Sequence, residues 1–397
     1  MGFDSGSLSF RRFAVIGDAP QAVDQQLLDK LSEHALRPGD LGAPEEIEYG
    51  WSGGRHVLDD QFTFENNVFA DSLHFALRTD TNKVPSELAR AYKLMEEDVL
   101  AKGNPSGFIS KKQKKDAKDV AQRKVDEELR SGKYRRSKLT PILWDLSTGM
   151  LYCNASIKIQ EQLLEIFERT FGLSLQPLSA GSMAQRMAES KGRRRDYEDA
   201  SPTRFAIGPD GEGQSAEYPW VAKGPEAKDF LGNEFFVWLW HQAQSHSGVI
   251  SLGSSNASIF FDKSLDLDCV FGQTGRDGLR GDGVTQMPEA VDALRSGKVP
   301  RKAGIILESS GAQYTLTLSA EALAAGSLKL PNVEEAENPR VLFEERISML
   351  RDFTVVLENL YGAFLKIRFS SAWESQVTTI RQWIMQSRRA IATAAVA

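Results

Sequence analysis

A chain of 397 residues, 41% of them hydrophobic and 26% charged, is long enough for more than one packed core, and its formal net charge of −6 excludes a surface that is basic all over. A polyanionic partner would therefore have to meet a local patch, groove or channel. Two distant cysteines, Cys153 and Cys269, exclude a disulfide scaffold and suit a reducing cytoplasm, while the lack of an N-terminal apolar leader or a long apolar run points to a soluble protein with no membrane partner.

In chain order, residues 10–16 read as a strand and residues 21–36 as a helix carrying Val23, Leu27, Leu28, Leu31 and Ala35, stopped by Pro38 and Gly39. After GWSGG at 50–54, residues 61–64 and 68–79 read as a hairpin turning at Asn66 and Asn67. Pro85 and Ser86 open a helix with an apolar stripe of Leu88, Tyr92, Met95 and Val99, and residues 103–107 form a glycine-bounded hinge. Positive charge is then concentrated in Lys111, Lys112, Lys114, Lys115, Lys118, Arg123, Lys124, Arg130, Lys133, Arg135, Arg136 and Lys138. Only Asp116, Asp119, Asp126, Glu127 and Glu128 oppose it. Such an arm suits phosphates, and Tyr134 within it suits stacking on a base or sugar; a solvated helix face has the same composition.

Residues 139–154 read as a hairpin around Ser147, Thr148 and Gly149, followed by a helix from Ser156 with Leu163, Ile166, Phe167 and Thr170 inward and Gly172 as its cap. Residues 179–218 read as a loop with a short helix at 183–189, in which Arg193, Arg194 and Arg195 are neutralised by Asp196, Glu198 and Asp199. Residues 233–244 form an apolar helix with Trp238 and Trp240 as core. Strands at 249–252 and 258–271, a glycine-rich loop at 272–283 and a helix at 288–296 come next. A hairpin of 301–309 with 313–319 about Ser310 and Gly311, and a long helix at 341–369, complete the ordered chain; the tail after residue 387 should fray.

Hairpins mixed with helices predict an α+β fold with antiparallel or mixed sheets and packed helices. The expected organisation is an N-terminal sheet domain from residues 1–84 and 139–180, a basic helical arm at 85–138, an insertion at 181–232, and a C-terminal domain at 233–397 with the long helix. No Walker, GxSxG or HExxH motif is present, and the five histidines form no ligand set. The constellation closest to chemistry is Asp262, Asp266 and Asp268, whose alternation on a strand could present carboxylates to a divalent metal.

Taken together, GW at 50–51 with its following glycines, VPSELARAYK at 84–93, KKQKKDAKD at 111–119, ILWDLSTGMLYCNAS at 142–156, LSLQPLS at 173–179 and SGKVPRKAGIIL at 296–307 resemble the RdgC family of recombination-associated proteins. The resemblance implies a ring-forming homodimer with a projecting helical arm, encircling double-stranded DNA without sequence preference and limiting RecA. It implies a cytoplasmic, nucleoid-associated protein with no cofactor and no catalytic residue. The DNA contacts it assigns are Lys111, Lys112, Lys114, Lys115, Lys118, Lys298 and Lys302, with Tyr134 or Arg135 at the fingertip. The neighbouring Arg123, Lys124, Lys133, Arg136, Lys138 and Arg301 belong to the same expectation, as do Arg276 and Arg280 as a second contact region. Two other readings stand beside it: a metal-dependent exonuclease using the three aspartates, and a protein-interaction scaffold that does not touch DNA.

Overall fold

The computed structural model describes residues 2–37, 47–105, 107–206, 215–222, 228–253, 255–272, 275–332 and 338–394, with side chains described as far as residue 386. It has mixed helices and extensive antiparallel strand pairing, an α+β protein. The first elements are β1 (Leu8–Ile16), α1 (Gln25–Glu33), β2 (Glu48–Ser52), α2 (Phe64–Asn67), β3 (Val68–Phe69), β4 (Ser72–Asn82), α3 (Ser86–Lys102) and α4 (Lys111–Arg130). Next come β5 (Arg135–Asp145), β6 (Met150–Cys153), α5 (Ile157–Phe171), β7 (Ser174–Pro177), α6 (Ala180–Ser190), α7 (Arg194–Glu198) and α8 (Phe230–Ser245). The chain closes with β8 (Val249–Ser251), β9 (Asn256–Cys269), β10 (Asp277–Arg280), α9 (Pro288–Arg295), β11 (Lys298–Ser309), β12 (Ala312–Ser319), β13 (Ala325–Lys329), α10 (Pro339–Arg368) and α11 (Trp373–Ala394).

The chain divides into two compact units. One comprises residues 16–149 and 155–175. Its sheet runs β5-β4-β2, with β3 on β4. Phe75 lies opposite Ile142, and Leu77 lies opposite both Thr140 and Trp51. This apolar face is covered by α5, where Phe167 and Phe171 each meet the Trp144 ring edge-on at 5.2 Å. The Trp51 indole N–H donates to Thr170 Oγ at 2.8 Å, so its one polar atom is satisfied in the core. Gly172 ends α5 at φ +67°, a left-handed cap.

The other unit comprises residues 1–15, 150–154 and 176–397. Strands β10-β9-β11-β12-β13-β1-β6 follow one another in hydrogen-bonded order, with β8 on β9. Helix α8 is buried from Phe230 through His241, as an all-round apolar sequence requires. Against it packs α10, with Phe235 5.2 Å from Tyr361 and 5.6 Å from Phe364. The Glu234 carboxylate, fully buried, is paired at 2.6 Å with Arg368. No helix among the described residues is long and apolar enough to cross a membrane.

Several sequence expectations give way to tertiary contacts. Residues 61–63 do not form a strand, and Asn66–Asn67 is not the turn. Thr63 caps α2, buried Asn67 donates to the carbonyls of Gly53 and His74, and the chain reverses instead at Ala70 and Asp71, at φ +43° and +60°. The short helix expected at 183–189 is present as the longer α6, with Met183, Ala184 and Ala188 buried, but the rest of the segment read as a loop also holds α7, which buries Tyr197. The glycine-rich loop contains β10, paired with β9 through Leu279 and Leu265. Beyond the long helix expected at 341–369 a further helix, α11, buries Trp373, Val377, Ile380 and Ile384 at helical spacing. The stop signal at Pro38 and Gly39, and Gln273 and Thr274 of the glycine-rich loop, lie outside the described residues. The expected fraying after residue 387 falls where no side chain is described.

Close packing at α8 predicts one informative substitution. A Cβ on Gly232 would run into the Ala320 carbonyl oxygen and the Ala180 methyl. Helix propensity alone would make Gly232→Ala stabilising by about 1 kcal/mol. Overpacking should reverse that sign and cost roughly 1–3 kcal/mol, read as a lower denaturant midpoint.

Candidate nucleic-acid interface

The basic run folds as α4, opened by a capping box in which the Ser110 hydroxyl accepts from Gln113 N and the Gln113 side chain accepts from Ser110 N. Helix α4 lies antiparallel to α3. Asn104 bonds Gln113 at one end, Lys124 pairs with Glu96 at 2.6 Å in the middle, and Tyr92 donates to Glu128 at 2.8 Å near the other. Buried Ala117 and Ala121 let the backbones approach. The apolar stripe expected on α3 is not a core face: Met95 is 57% and Val99 64% exposed, because a layer of two helices buries only the side turned to its partner.

This packing fixes where the lysines point. Lys111, Lys114, Lys115 and Lys118 recur at helical i, i+3, i+4 and i+7 positions and are all exposed, so they share one stripe about 10 Å long. Lys112 and Arg123, also exposed, lie on the neighbouring face among Asp116, Asp119 and Asp126. Among the described residues none of these six cations has an ion pair. The first turn contains no acidic residue, so Lys111, Lys112 and Lys114 crowd the positive end of the helix dipole. Each opposes helix formation by roughly 0.3–1 kcal/mol at low salt. Helix stability therefore does not account for them.

Several other expected contacts are already paired within the fold. Lys133 lies 3.8 Å from Glu128, with its Nζ 5.5 Å from the Tyr134 ring centroid. Arg276 and Arg280 both approach Asp266, at 3.9 and 2.8 Å, and Lys298 pairs with Asp277 at 2.7 Å. Arg301 is shared between Asp268 and Glu321 and stacks over Trp220 at 4.7 Å. Lys302 is exposed and has no ion pair among the described residues. In the segment 193–199 the three arginines do pair internally, Arg193 with Asp196, Arg194 with Glu198 and Arg195 with Asp199.

Arg135, Arg136 and Lys138 are strand residues of β5 rather than part of a helix. Arg135 turns to the sheet face of Asp80, which it meets at 2.8 Å while also binding Glu48 at 2.7 Å. Asp80 is held from the other side by Arg78 at 2.6 Å, with side chains 2% and 5% exposed. Burial alone would raise the Asp80 carboxyl, but hydrogen bonds from Arg78, Ser137 and Arg135 outweigh it and hold the group below its ordinary value. Arg136 and Lys138, one residue out of phase, are exposed and unpaired among the described residues.

Arg136 and Tyr134 border a cleft of about 890 Å³ lined also by Ile47, Thr81, Asn82, Lys83, Val84, Pro85, Val125, Leu129 and Lys158. Lys83 and Lys158 were not expected as contacts. They lie outside the basic run, and only the fold brings β4, α4 and α5 to one opening. The aspartates divide differently from the expected trio: Asp266 and Asp268 sit in the ion pairs above, and an irregularity in β9 that puts Lys263 at φ +53° separates them from Asp262. Among the described residues no group of three His, Cys, Asp or Glu side chains is arranged to hold a metal ion. Comparison with protein-family models and with curated proteins gives no match to this chain.

The Asp80 cluster predicts a measurable pH dependence. A carboxyl depressed on folding contributes stability above about pH 4, the ordinary range, and loses it as pH falls through the depressed value. Asp80→Asn should lower stability at pH 7 by about 3–5 kcal/mol by stranding Arg78, and should flatten the acid limb in denaturant titrations between pH 5 and 2.

Proposed function

We propose that this protein binds duplex DNA through its phosphates, without sequence preference and without chemistry of its own. In this reading it acts as an RdgC-like homodimer closed around the duplex, associated with the nucleoid, where it modulates RecA-dependent recombination. The observation that carries the DNA reading is the stripe of Lys111, Lys114, Lys115 and Lys118: exposed, unpaired among the described residues, and with Lys111 and Lys114 placed where they oppose the helix dipole. A stripe about 10 Å long runs along a stretch of duplex that carries roughly six phosphate charges over its two strands, one per ~1.7 Å of axis. The projection of the α3–α4 pair as an arm, the closed dimer and the link to RecA rest on the family resemblance.

Salt-titrated binding to linear duplex, single-stranded and covalently closed circular duplex DNA tests the reading. Log affinity should fall with log salt by about 0.9 per neutralised phosphate, all duplex sequences should bind alike, and escape from circles should be slower than from linear ends. Changing Lys111, Lys112, Lys114 and Lys115 together to Ala should weaken duplex binding at least tenfold and flatten the salt slope, while thermal stability stays level or rises as dipole repulsion is relieved. Equal binding by this variant would remove the stripe from the site. No binding at low salt would favour the protein scaffold.

A further inference from the structure

The cleft at the C-terminal end of α4, away from the stripe, has a composition that phosphate neutralisation does not need. Its walls are mainly apolar, from Ile47, Val84, Pro85, Val125 and Leu129, and its volume of about 890 Å³ lies within the range of pockets that enclose small ligands. Lys83, Arg136 and Lys158 converge on it from β4–α3, β5 and α5, all exposed and none in an ion pair among the described residues. Glu87 is the one acidic residue on its wall. Tyr134 supplies a half-buried ring. Three cations, a ring and apolar walls describe a ligand with an anionic group and a flat apolar body.

We propose that this cleft binds a nucleoside monophosphate unit, its phosphate between Arg136, Lys158 and Lys83 and its base against Tyr134. The unit is either a free nucleotide or an unpaired nucleotide of a DNA strand. The site stands apart from the lysine stripe, so it does not depend on duplex binding.

Calorimetric titration of the full chain with 2′-deoxyadenosine 5′-monophosphate, inorganic phosphate and 2′-deoxyadenosine tests it. The nucleotide should bind at least tenfold more tightly than either half. Arg136→Ala with Lys158→Ala should weaken it at least tenfold, Tyr134→Ala should erase its advantage over phosphate, and Tyr134→Phe should keep it. The alanine variant of the stripe, Lys111, Lys112, Lys114 and Lys115, should bind the nucleotide normally, which separates failure of this site from failure of the DNA reading. Melting curves confirm that each variant is folded. Displacement of the nucleotide by single-stranded but not duplex oligonucleotides assigns the site to a DNA strand, and resistance to both assigns it to the free nucleotide. Binding no tighter than that of phosphate, or indifferent to both the Arg136/Lys158 and Tyr134 changes, overturns the proposal.

Discussion

A single buried carboxylate governs the part of the molecule on which the candidate interface is built. Asp80, near the end of β4, is held between Arg78 of its own strand and Arg135 of β5, with Glu48 of β2 completing the cluster. A buried charge left alone would be severely destabilising, so the three strands are committed to one register at this end of the sheet. The neighbouring Asn82 bonds the carbonyl of Leu129 in the last turn of α4. Strand and helix are thereby fixed to each other at the base of the α3–α4 pair, and the cleft opens beside that junction.

The same cluster explains why adjacent basic residues have different work. Strand alternation sends Arg135 into the network and leaves Arg136 on the opposite face, exposed at the cleft. Along α4 the 3.6-residue period makes an equivalent division. Lys124 is spent on Glu96 of α3, whereas Lys111, Lys114, Lys115 and Lys118 face outward together. Charge that is paired inside the fold has little left for a ligand, and charge that is unpaired against the helix dipole is what a polyanion can neutralise.

Much of the secondary structure was legible locally. Helix α5, with Leu163, Ile166, Phe167 and Thr170 inward and Gly172 as cap, follows from apolar spacing and the freedom of glycine at positive φ. The β11–β12 hairpin about Ser310 and Gly311 follows from its turn residues. The failures arose where a distant partner outweighed a local signal. Asn66 and Asn67 have turn composition, yet Asn67 is more stably used bridging Gly53 and His74 in the interior. Residues 277–280 are rich in glycine and charge, yet β9 supplies the hydrogen bonds that make them a strand.

The sequence by itself determined the α+β class, the amphipathic faces of α1 and α5, the self-neutralised arginines at 193–195 and the concentration of lysines in one helix, because each depends on residues a few positions apart. Only the tertiary structure decided which of the basic residues are free. Ion pairs such as Arg135 with Asp80 and Glu48, Arg301 with Glu321, and Arg280 with Asp266 join residues from different elements. It also decided that Lys83 and Lys158 share an opening with Arg136 and Tyr134. Coulombic pairing and cavity walls depend on distances of a few ångströms between elements, and chain order does not encode those distances.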